Sequence, residues 1–139
     1  MSRLDDMRAR LEAERDADKA KREEQLASDL EAVLELLPNH GGPARVRMVE
    51  VKAWIPGIPA LAVVRCPKPV EVKRFQARMG EENPNRITAL EELAALCVIH
   101  PEKGEARDAL YLACPGLPVQ LAQEALQLSL GEAQAAGKG

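Results

Sequence analysis

Ala60-Leu-Ala-Val-Val-Arg-Cys-Pro-Lys-Pro69 is where the chain changes character. An unbroken apolar run from Ala60 to Val64 is strand-length, and Pro67 and Pro69 cut it off before helix-like sequence resumes. Immediately upstream, Trp54-Ile-Pro-Gly-Ile-Pro59 reads as a turn with Pro56-Gly57 at the bend. Upstream again, Val46, Met48 and Val51 approach alternation with Arg45, Arg47, Glu50 and Lys52, the pattern of a half-buried strand. Together these stretches predict a β-hairpin. Trp54, the single tryptophan, is expected to cover the end of the core.

Toward the N-terminus the spacing predicts one long helix from Ser2 to Leu37. Ser2 is the N-cap, and Asp5 and Asp6 occupy the first turn, where carboxylates favour the positive end of the helix dipole. From Glu12 to Glu24 the segment is almost wholly charged, with mixed signs that suit a solvated helix laced with i,i+4 pairs. From Leu26 it turns amphipathic, with Leu26, Leu30, Val33, Leu34 and Leu37 on one face. Leu4, Met7 and Leu11 form a further short stripe that could seed docking. Pro38 and Asn39-His-Gly-Gly-Pro43 stop the helix and predict a hinge at 38–43.

Toward the C-terminus four helices are expected. The first covers Val70–Met79, with Val72 and Phe75 inward, and the second runs from Ile87 to Ile99, closed by His100-Pro101. A short helix over Glu105–Ala113 follows. The last opens near Pro118, a residue suited to a first turn, and passes through Leu121, Ala125 and Leu128. The fold class is therefore α+β, mainly α: a long N-terminal helix, one β-hairpin, then a compact bundle of about four helices. The organisation is helix 1–37, hinge 38–43, compact α+β body 44–130 and a flexible tail 131–139. Aromatic residues are only 2% of the chain against 46% hydrophobic, so the core must be built from Leu, Val, Ile and Ala.

A formal charge of −3 gives no global pull toward nucleic acid or an anionic membrane, and neither is expected as a partner. The start of the chain lacks the apolar stretch of a signal peptide, and no run approaches the roughly 20 apolar residues of a membrane span. A cytoplasmic protein is expected.

The residues offer little chemistry. Cys66, Cys97 and Cys114 are odd in number, widely spaced and set in apolar sequence, which predicts buried reduced thiols and no metal site with His40 or His100. Cys97 and His100 could meet on one helix, but a thiol among Leu96, Val98 and Ile99 is desolvated and inert. His100 is better read as a helix-ending residue. The glycines lack phosphate-loop spacing. Lys68, Lys73, Arg74 and Arg78 make one helix locally basic, yet Glu71 dilutes them and only Phe75 could stack on a base. No catalytic residue, cofactor site or metal site is expected, and the chain reads as a non-enzyme.

The order of blocks carries more. Val64-Arg65-Cys66-Pro67 leads into Glu71-Val72-Lys73-Arg74-Phe75; Leu96-Cys97-Val98-Ile99-His100-Pro101 follows, then Tyr111 through Pro118 before a closing helix. This order resembles the small tail assembly chaperones of long-tailed bacteriophages. The resemblance covers about half of the chain and rests on packing motifs. It implies a non-enzymatic protein that coats the apolar tape-measure protein in the host cytoplasm before tail-tube subunits polymerise, and that is absent from the finished particle. On that basis the face of Leu26, Leu30, Val33, Leu34 and Leu37, with Leu121 and Leu128 of the closing helix, would cover apolar stripes of the partner. Members of the group are often made in two lengths by a ribosomal slip, and Gly137-Lys138 stands where such a slip would fall. Self-association is compatible with the sequence. The competing expectation is a structural virion component, a tail or neck adaptor or minor capsid protein, with the N-terminal helix as an assembly arm.

Overall fold

A computed structural model describes residues 2–52 and 54–131. Helix α1 spans Arg3–Leu36, and the Ser2 hydroxyl caps it by accepting from the Asp5 N–H. Two 3-10 turns, Leu37–His40 and Pro43–Arg45, occupy the expected hinge. Gly41 joins them at φ 86°, and a Cβ there would stand 2.8 Å from Arg45 Cγ, so glycine is needed on both counts. Strands β1 (Val46–Glu50) and β2 (Leu61–Arg65) pair antiparallel, with Val46 opposite Arg65 and Glu50 opposite Leu61. Their connection bends at Pro56-Gly57, where Gly57 has φ 77° and the Ile58 N–H donates to the Ile55 carbonyl. This is the arrangement of a type II turn.

The body then adds α2 (Pro69–Met79), α3 (Arg86–Cys97), strand β3 (Val98–His100), α4 (Glu105–Ala113) and α5 (Leu117–Ser129). The architecture is α+β and mainly α. Strand β3 departs from expectation: α3 ends at Cys97, and Val98–His100 pairs antiparallel with the far edge of β2 to complete the order β1-β2-β3. A third strand satisfies the backbone of β2 on both edges, a long-range gain that local periodicity does not register.

Alternation along β2 organises the interior. Leu61 and Val63 point toward α1, where they join Val33, Leu37 and Val46, with Leu26 and Ile99 at the margin. Ala62 and Val64 point the other way, into the larger core of Val51, Leu90, Leu93, Cys97, Val98, Leu110, Leu121, Ala125 and Leu128. The sheet is thus a middle layer, with α1 on one face and α3 and α5 on the other. Burial on both faces explains why Leu61–Val64 is continuously apolar. Cys97 is fully buried as expected, whereas Cys66 and Cys114 are half-buried at the core margin; all three thiols are free. The 131–139 tail and Gly137-Lys138 lie outside the described residues, apart from Gly131.

Candidate functional site

Among the described residues, helix α1 is held to the body through its C-terminal half. Arg22 donates from Nε to the Val51 carbonyl at 2.9 Å and pairs with Glu50 at 2.9 Å. Two turns on, Asp29 is buried at 5% exposure. One of its carboxylate oxygens accepts from the Ala60 N–H at 2.7 Å, and the other lies 3.0 Å from His100 Nε2. Val33 and Leu37 then close the interface as apolar contacts. The expected helix-ending role of His100 is replaced by this cross-layer bond. A register shift at Val63/Val64 sets two β3 residues, Ile99 and His100, toward α1, while Val98 faces the other core. With α3 stopping at Cys97, His100 is no neighbour of that thiol.

Burial sorts the seven expected docking residues. Val33 (1%), Leu37 (7%), Leu121 (0%) and Leu128 (5%) pack inside the protein, and no partner can reach them in this fold. The amphipathic pattern at these positions reports internal packing against the sheet. Leu26 is half-buried beside Val33, and Leu30 and Leu34 remain outward at 37% and 63% exposure. Further exposed apolar residues of α1 lie at its other end. Every residue from Ser2 to Lys21 is exposed, and Leu4, Met7 and Leu11 are 56%, 56% and 51% exposed. At 1.5 Å per residue, Arg3–Glu14 makes an arm about 18 Å long.

Trp54 stands at the root of this arm instead of the end of the core. Lys21 Nζ lies 5.2 Å from the centre of its ring, a cation–π contact that ties the turn to α1. Arg15, Asp18, Lys19, Arg22 and Lys52 line a shallow cleft around it. The i,i+4 pairs expected along the charged segment are not what holds it: among the described residues, the Arg22–Glu50 ion pair and the Asp29–His100 hydrogen bond of α1 both run to other elements.

The remaining polar clusters brace the body. Arg65 makes a two-pronged pair with Glu71 at 2.7 and 2.8 Å and donates to the Leu96 carbonyl, joining β2, α2 and α3. The hydrogen bonds from Arg65 are the main reason that Glu71 is held down to about 2, with the Lys68 N–H assisting. Arg107, buried at 7%, donates to the Pro101 and Val98 carbonyls and so clamps the segment after β3. Desolvation pushes the Cys97 thiol up to about 12, the wrong direction for a nucleophile. Burial also raises Tyr111, whose hydroxyl has no hydrogen-bond partner among the described residues. On α2, Arg78 pairs with Glu92 and Glu81, which draws charge away from a basic face. Among the described residues, no group of three or more His, Cys, Asp or Glu side chains could hold a metal ion, and no helix is long and apolar enough to cross a membrane.

Sequence reasoning missed Asp29, the anchor of α1. A single aspartate in a helix rich in carboxylates carries no local mark; its position three residues after Leu26 and four before Val33, on the buried face, was the available signal. No protein-family model, curated protein or solved structure matches the chain.

Proposed function

We propose that the protein is a non-enzymatic bacteriophage tail assembly chaperone that binds and solubilises the tape-measure protein in the host cytoplasm while the tail is built. The observation that carries this reading is the exposed apolar row Leu4, Met7 and Leu11 on an arm fixed to a well-packed body, with Leu34 outward on the same helix. Exposed leucines on a protruding helix favour a helical partner with an apolar stripe of its own. The order of proline-bounded blocks adds the phage-tail context. A long tape-measure protein exposes such stripes along its length and aggregates unless they are covered reversibly.

Co-expression with a bacteriophage tape-measure protein tests the reading. The expected result is a soluble complex that co-purifies and loses the small protein once tail-tube subunits are added. A tape-measure protein that stays insoluble, with nothing retained on the tagged chain, would overturn it. The arm also suits a permanent tail or neck adaptor, because Arg22 and Asp29 hold α1 firmly to the body. Purified particles separate the two readings, since the adaptor stays in them and the chaperone does not.

A further inference from the structure

The arm carries a charge pattern more specific than its apolar stripe. Successive helical residues are turned by 100°, so Leu4, Met7 and Leu11 form one narrow row. Arg8 and Arg15 border that row on one side and Arg3 and Arg10 on the other. Asp5, Asp6, Glu12 and Asp16 lie on the opposite face, and Glu14 and Asp18 close the row at its C-terminal end. All of these residues are exposed. None of the four arginines takes part in an ion pair among the described residues; those pairs use the arginines Arg22, Arg47, Arg65 and Arg78. The row also continues the face on which Arg22, Asp29 and Val33 meet the sheet, because spacings of seven and eleven residues keep one face of a helix. A helix lying on it would therefore abut the body at the cleft beside Trp54, where Lys19 and Lys52 add positive charge.

We infer that the arm docks an amphipathic helix whose apolar stripe is flanked by carboxylates. This rests on the reading that the protein covers a helical partner, and it assigns the surface and the partner's chemistry. Charge decides among occupants. Two copies of the arm, paired in either direction, would set arginine-flanked rows against each other, which repels. An anionic membrane would attract the four arginines, but residues 3–16 carry five carboxylates as well, so the arm has no net positive charge to draw it down. A carboxylate-flanked helix matches both the apolar row and its borders.

The test measures binding of the full-length protein to two labelled helical peptides that share a leucine stripe, one flanked by glutamates and one by lysines. The glutamate-flanked peptide should bind at least about tenfold more tightly, and less so as salt is raised. Leu4→Asp with Leu11→Asp should abolish binding. Because both positions are exposed on the arm, circular dichroism and thermal unfolding of the body should be unchanged. Arg8→Glu with Arg15→Glu should shift preference toward the lysine-flanked peptide. Equal binding of the two peptides, or binding indifferent to Leu11→Asp, would overturn the inference. So would Leu11-dependent dimerisation in sedimentation, or adsorption to phosphatidylglycerol vesicles in preference to the peptide. Capture of the tape-measure protein, run in parallel, separates the two readings. Undiminished capture by the Leu4→Asp, Leu11→Asp protein overturns the arm assignment and leaves the chaperone reading standing; peptide binding without tape-measure capture does the reverse.

Discussion

Asp29 shows how much one side chain can fix. It sits between layers, holds the Ala60 N–H at the entry to β2 and meets His100 on β3. Replacing it with Ala strands two polar partners in a buried site, with an expected loss of about 3 kcal/mol in urea unfolding. Asn keeps an acceptor for the Ala60 N–H and should lose only about 1 kcal/mol. Glu71 gives the fold an acid-sensitive contact. Its carboxyl is held at about 2 in the folded protein, chiefly by the Arg65 hydrogen bonds, against an ordinary 4.5. A carboxylate held low in the folded state stabilises fully above its unfolded value, and that contribution drains away as pH falls from 4.5 toward about 2. Unfolding midpoints measured across this window should fall for the wild type and flatten for Glu71→Gln. Cys97, pushed up to about 12 by burial, should resist iodoacetamide in the native protein and react only after denaturation, as peptide mass spectrometry would show.

At the scale of elements, β2 is the keystone. It is paired on both edges and buried on both faces, so Leu61→Ala should cost about 2–5 kcal/mol, while Leu34→Ala on the outward side of α1 should stay within about 0.5 kcal/mol. The hairpin, the four body helices and α1 were legible because each leaves a local mark: mixed apolar and charged residues in β1 (although Met48, expected inward, is 48% exposed), an unbroken apolar run in β2, prolines at the starts of α2 and α5, and the Ser2 cap. Strand β3 was not legible. Val98-Ile-His100 continues the apolar run of α3, and only pairing with β2, distant in sequence, tells strand from helix there. Which apolar faces stay exposed was only partly legible, for a related reason. Periodicity located the apolar face of α1 at Val33 and Leu37 correctly, yet periodicity cannot say whether such a face meets a partner or the protein's own sheet. The same ambiguity hid the burial of Leu121 and Leu128 in the core.

Over the whole molecule, a three-layer body holds a helix that outruns it. The body accounts for the buried part of α1, and nothing among the described residues accounts for Leu4, Met7 and Leu11 or the arginines beside them. That division is what the chaperone reading uses: a stable seat and a protruding, charge-bordered apolar row offered to a helical partner. Hydrogen exchange of the full-length chain, alone and with the tape-measure protein, tests it most directly. The account predicts that amides of the arm, residues 3–14, exchange readily in the isolated protein and become strongly protected in the complex, while those of β2 and α5 are slow in both. Protection that appears on the body and leaves the arm unchanged, or no change anywhere, would contradict it.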